Sequence, residues 1–282
     1  MKRFSSIQRA VRFCARAALV CLVAAPLSAH EFWIDVSHGV ADPGAEVTAA
    51  LRVGQDLKGA SHPYLSARFT DFVLVHEDNV WPVAGREGDR PGATIRPTEP
   101  GLYIIAQRSV PFLLTYDEPG LFAKFLDYEG LSPFLEDHRA RGLPETGFAE
   151  RYLRHAKALF QVGPVEGART DRLLGGLELE LVAETNPFAA GLTELPARLY
   201  DNGAPAADRQ VALFHRAGEQ VGRTIHQTDA AGRVILPLRG PGEYLLSSVS
   251  LSPRDEEPVA WQSEWASLFF RLGPDEQNGA KQ

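Results

Sequence analysis

The sequence predicts a mainly β fold: two β-sandwich units in series, with a helical insertion in the first. Two observations carry this expectation. Apolar residues recur at every second position through short runs separated by Pro-Gly, Asn-Gly and acidic turns. The period becomes helical in one stretch, about residues 118–162, and then returns to two.

Residues 1–29 stand apart from this pattern. Lys2, Arg3, Arg9, Arg12 and Arg16 occur there without an acid, and an apolar run from Ala17 to Ala25 leads to Pro26-Leu27-Ser28-Ala29. A basic start, a short apolar centre and a small residue before the cut describe a secretory signal peptide cleaved after Ala29. The run is too short to cross a bilayer as a helix. The expected location is therefore periplasmic, with no transmembrane segment after cleavage.

Processing would narrow the chemistry. Cys14, Cys21 and the only methionine, Met1, all lie in the leader. A mature chain without sulfur has no thiolate zinc site, no soft copper(I) site and no cysteine nucleophile. Five of the 29 basic residues leave with the leader, so 24 face 36 acids and the net charge falls to −12. Such a balance argues against nucleic-acid binding.

The first unit, 30–190, opens with Phe32, Ile34 and Val36 alternating with Glu31, Trp33 and Asp35. Pro43-Gly44 then turns the chain into Val47, Ala49, Leu51 and Val53. Arg68–His76 and Leu102–Gln107 read as further strands. Within the insertion, Leu121, Phe122, Phe125 and Leu126 have helical spacing that Gly130 can end. Ser132-Pro133 reads as an N-cap and first-turn proline for a helix through His138. Phe148–Phe160 is expected to be a third helix, with Phe148, Tyr152, Ala156 and Leu159 on one face. The Leu177–Val182 alternation restores the strand period.

The second unit, 191–272, offers strands at Leu195–Tyr200, Val211–His215, Val234–Leu236, Gly242–Leu251 and Ala260–Leu272. Trp261, Ser263 and Trp265 share one strand face, where a buried core is expected in place of a carbohydrate platform. The polar end, 273–282, is expected to be disordered.

Several stretches resemble a known family over most of the mature chain. They are His30-Glu31-Phe32-Trp33-Ile34, Leu51-Arg52-Val53-Gly54-Gln55 and Tyr152-Leu153-Arg154-His155-Ala156-Lys157-Ala158-Leu159. Leu177–Glu184 with Asn186-Pro187, Thr228-Asp229 with Gly232, and Trp261-Gln262-Ser263-Glu264-Trp265-Ala266-Ser267-Leu268 complete the set. Together they resemble a periplasmic family of unknown function, some members of which are accessory components of nickel or cobalt uptake systems. Many relatives carry an apolar residue where this chain has Glu264. The resemblance implies an immunoglobulin-like β-sandwich followed by a transthyretin-like module, and metal handling outside the cytoplasm with membrane transporter components as partners.

His30 is the anchor of the expected metal site. As the first mature residue it would offer an α-amine and an imidazole, and the amine's ordinary pKa of about 7.7–8.0 lets a metal displace its proton near neutral pH. A useful site needs three or four ligands. His62 in a loop, His76 at a strand end and His138 beside Glu136 and Asp137 are the candidates to complete it. His155 lies among Arg151, Arg154 and Lys157, which disfavours a cation unless those charges are paired. His215 and His226 are expected to be structural. Nickel or cobalt is favoured as the divalent metal, and copper or zinc also suits such donors. A copper-brace oxidative enzyme and a partner-binding β module without metal stand as alternatives. The chain has no Gly-x-Ser-x-Gly elbow, phosphate-binding glycine loop or zinc-protease helix motif, so no catalytic residue is assigned.

Overall fold

Alternating segments become strands where each face finds a layer to cover it. The computed structural model describes residues 30–164 and 172–273. The expected leader, and the tail beyond Gly273, lie outside the described residues. The first nine strands are Glu31–Val36 (β1), Val40–Ala41 (β2), Val47–Gln55 (β3), Lys58–His62 (β4), Phe69–His76 (β5), Asn79–Pro82 (β6), Ala93–Ile95 (β7), Gly101–Ser109 (β8) and Phe112–Tyr116 (β9). Two helices follow, Leu121–Tyr128 (α1) and Phe134–Ala140 (α2). Then come Phe148–Val162 (β10), Leu179–Ala183 (β11), Glu194–Asp201 (β12), Ala204–Pro205 (β13) and Gln210–Ala217 (β14). Gln220–Gln227 (β15), Arg233–Pro237 (β16), Gly242–Glu256 (β17) and Val259–Leu272 (β18) complete the order.

These strands form three sheets. The ten-stranded sheet runs β15-β14-β17-β18-β10-β8-β5-β6, with β2 and β9 also paired to β10. One face packs on the β1-β3-β4 sheet, which also holds β7, through Trp33, Ile34, Ala156, Phe160, Phe214 and Phe269. The opposite face packs on the β11-β12-β13 sheet, which also holds β16, through Leu159, Leu181, Leu199, Leu213, Leu246 and Leu268. The result is two β-sandwiches that share their middle layer. Trp33 is fully buried, and a Cβ on Gly59 would lie 2.6 Å from its ring, so the close crossing needs glycine there.

The expected helix at Phe148–Phe160 is instead β10. Arg154, Ala156, Ala158, Phe160 and Val162 face one layer, while Leu153, His155, Lys157, Leu159 and Gln161 face the other. A strand covered on both faces loses the apolar–polar alternation that identifies a half-exposed strand. The same strand pairs in parallel with β18, from Ala149 opposite Val259 to Ala158 opposite Phe269. Segments from both sides of the expected 190/191 boundary thus share one sheet, and β11 pairs with β12 across that boundary.

Both other expected helices form. The N-cap position of α2 is Pro133, one residue later than expected, and the helix continues to Ala140. Phe122, Phe125 and Leu126 of α1 pack with Trp261, Trp265, Phe148 and Leu251. The helical insertion thus caps one end of the β17-β18-β10 ribbon. No helix among the described residues is long and apolar enough to cross a membrane.

Candidate functional site

His30 sits immediately before β1, half-buried, and its Nδ1 is buried without a hydrogen-bond partner among the described residues. Its carbonyl accepts a hydrogen bond from the Arg154 guanidinium at 3.4 Å. The next side chain, Glu31, is only 2 % exposed. One Glu31 oxygen accepts from the Tyr128 hydroxyl at 3.4 Å, and the other is buried without a partner among the described residues.

Glu31 belongs to a group of buried carboxyls between β1, the end of α1 and the start of β10. Burial pushes the Glu31 carboxyl up to about 7, with the charge of Asp56 adding to the rise and a backbone hydrogen bond, Arg223 and Tyr128 opposing it. Burial likewise pushes Glu129 up to about 8, and the charges of Glu31 and Glu150 add to that. Glu150 is also raised by burial, although it accepts hydrogen bonds from Ser263 and, at 2.6 Å, from Tyr116. Trp265 donates to Ser263 at 2.8 Å, which closes this buried chain. Trp261 and Trp265 are both buried, so their strand face is core, as expected, and no aromatic platform forms there.

The other three candidate histidines have separate surroundings. His62 ends β4 opposite Leu51, which itself lies opposite Ile34. It is therefore offset from His30 by four residues along the strands, roughly 13 Å at about 3.3 Å per residue, and by two strand spacings. His76 is buried, stacked on Tyr103 with centroids 4.2 Å apart, and its Nε2 bonds the Pro100 carbonyl at 3.2 Å. His138 is buried on α2, where its Nδ1 accepts from the Trp261 indole at 3.0 Å and its Nε2 donates to the Pro144 carbonyl at 2.9 Å. This pairing fixes the neutral Nε2–H tautomer and leaves neither nitrogen free for a metal. His30, His62, His76 and His138 thus do not converge on one point.

A different group comes together. His155 Nε2 lies 2.7 Å from Glu264 and 3.5 Å from Glu178, the one set of three or more His, Asp or Glu ligand atoms within metal-holding distance among the described residues. Its surroundings satisfy it without an ion. Arg108 donates through two nitrogens to both oxygens of Glu178, and Gln262 donates to Glu264 at 2.6 Å. Burial pushes the Glu178 carboxyl up, but the bonds from Arg108 and the backbone outweigh it and hold the group below the ordinary carboxylate range. A metal here would compete with a guanidinium for the same oxygen, so the arrangement is a buried ion network. The neighbouring Lys157 is paired with Glu180 at 2.7 Å. Sequence reasoning missed this network because it took residues 148–160 for a helix. The usable clue was a polar residue at every second position, His155 and Lys157, together with Glu264 in an apolar stretch.

Fold and side-chain placement together define a layered β-sandwich protein with a helical cap and ionisable groups buried between its sheets. The chain belongs to the family described as domain of unknown function DUF4198, which matches residues 27–251. The comparison with curated proteins gives no match. Among solved structures the chain is similar to the D0–D1 domain of Intimin, at 12% identity, with 86% of this chain and 98% of that one covered and a TM-score of 0.20. The description of the sheets therefore stands on the strand pairing above.

Proposed function

We propose that the protein is a periplasmic metal-binding accessory protein that captures nickel or cobalt for a membrane uptake system, with His30 as the anchor ligand. The reading is carried by the His30 Nδ1, which is buried without a hydrogen-bond partner among the described residues, at the residue that cleavage after Ala29 would make the first of the chain. A buried ring nitrogen without a partner is a polar group left unsatisfied, and a metal would satisfy it in the tautomer or state in which that nitrogen carries no proton. The α-amine released by cleavage would add a second nitrogen on the same residue. Glu31 supports the reading as well, since a carboxyl held at about 7 can release its proton as a cation arrives. The proposal treats residues 191–272 as the transthyretin-like module, which the antiparallel pairing of β12 with β16 and of β14 with β17 supports.

The test begins with the N-terminal mass of the exported protein. Nickel, cobalt, copper and zinc are then titrated into it and into a His30→Ala variant by calorimetry. The expected result is a mature start at His30 and at least about tenfold weaker nickel or cobalt binding in the variant, the loss of one strong ligand contact. A different start, or equal binding by both proteins, would remove the chelate. Binding should also weaken as pH falls, because the amine and imidazole must lose protons to bind.

A further inference from the structure

A second feature lies where β1, β4, β5, β8 and β10 come together. The groove bounded by Phe32 of β1, His62 of β4, Arg68 and Phe69 at the start of β5, Gln107 of β8 and Arg154 of β10 encloses about 50 Å³. Its lining carries two guanidiniums and an imidazole but no carboxylate, in a chain where acids outnumber bases by 36 to 29. Neither Arg68 nor Arg154 makes an ion pair among the described residues, whereas Arg52, Arg108, Arg198, Arg216 and Arg271 all do. The Arg154 guanidinium has one hydrogen bond to protein among the described residues, the 3.4 Å contact with the His30 carbonyl. It otherwise lies over the rings of Tyr152 and Phe32, at 5.1 and 5.7 Å, while Arg68 lies 5.9 Å from the Phe112 ring.

Removing a guanidinium from water without an acid is costly, and an arriving anion would offset that cost. Burial and the charge of Arg68 hold the Arg154 pKa below its ordinary value, although the group remains a cation. Burial and the charges of Arg68, Arg154 and Arg90 likewise depress His62. The planar fork of arginine suits a carboxylate. The volume has room for that head group, and the rings of Phe32, Phe69 and Phe112 offer an apolar wall to the organic body attached to it. We propose that this groove is a binding site for a small organic carboxylate, gripped by Arg154 and Arg68 against the aromatic wall.

Calorimetric titration of the full mature protein with benzoate, acetate and inorganic phosphate tests the assignment. Benzoate is expected to bind, acetate to bind more weakly, and phosphate to bind more weakly than benzoate. Arg154→Met should weaken benzoate about tenfold or more, the loss of a charge-assisted contact. Arg68→Gln changes an exposed side chain and should weaken benzoate several-fold even if the Arg154 variant folds poorly. Arg96→Gln removes an exposed arginine outside the groove and should leave binding unchanged. Absence of benzoate binding at millimolar concentration, preference for phosphate, or equal weakening by Arg96→Gln would each overturn the proposal.

Discussion

On β10, Lys157 points into the layer formed with β11, and its ammonium lies 2.7 Å from the Glu180 carboxylate. Arg154, three residues earlier, faces the β1 layer and meets no carboxylate among the described residues. Lys157 and Glu180 are both buried, and Glu180 also accepts from the Leu174 backbone at 2.9 Å. Burial depresses the Lys157 pKa, while the Glu180 charge and hydrogen bond oppose that effect. One cation is therefore neutralised within the fold, while the other faces a groove without a counter-charge. A buried cation paired with an acid serves the packing of two sheets, and a half-buried one that meets no acid among the described residues marks a place for something the chain itself does not supply.

The largest expected effect breaks the paired side. Lys157→Met should lower the unfolding free energy by about 3–5 kcal/mol, because it strands Glu180 in a dry layer. Lys157→Met with Glu180→Gln should recover much of that loss, since neither buried group is then charged. Urea denaturation of both variants measures this. A single variant as stable as the wild type would show that the pair does not hold the layers together.

A smaller effect concerns the carboxyls beneath β1. Folding raises Glu129 to about 8 and Glu31 to about 7, from ordinary values of 4.5. Between the ordinary and raised values the folded chain binds more protons than the unfolded one, so stability falls as pH rises. The contribution of each raised group is fully present below about 4.5 and is lost as pH climbs through its folded value. Glu129→Gln should therefore raise Tm at pH 9, by on the order of 5 °C, and change it little at pH 5. Thermal melts across this range check the sign, and an equal shift at both pH values would contradict it.

The smallest expected effect sharpens the unpaired side. Arg154→Met should alter the unfolding free energy by less than about 1 kcal/mol, because it keeps the apolar stem and strands no acid. A loss comparable to that of Lys157→Met would mean that Arg154 is part of the folding core.

Legibility in the sequence followed local pattern. β1 and β3 could be read from alternation, β5, β8 and β17 as apolar runs bounded by turn or polar residues, and α1 from the spacing of Phe122, Phe125 and Leu126. β10 is covered on both faces, as β8 and β17 are, but it carries Arg154, His155 and Lys157 among its apolar residues, and that mixture imitates the polar face of a helix. The sites divided in the same way. His30 was legible because the expected cleavage site lies just before it, a local pattern. Glu264 and His155, or Arg68 and Arg154, lie far apart in the chain, and nothing local announces that they meet.

By itself, the sequence determined the mainly β class, the helical insertion and the chemistry open to residues 30–282, which contain no cysteine or methionine. These follow from local periodicity and composition, which need no knowledge of what packs where. Only the tertiary structure decided that the two sandwiches share a middle sheet, which histidine nitrogens are already bonded, and which arginines meet no acid among the described residues. The physical reason is pairing. Whether a buried charge is neutralised depends on its neighbour across a layer, and that neighbour comes from another strand, near in the chain for Lys157 and Glu180 and more than a hundred residues away for His155 and Glu264.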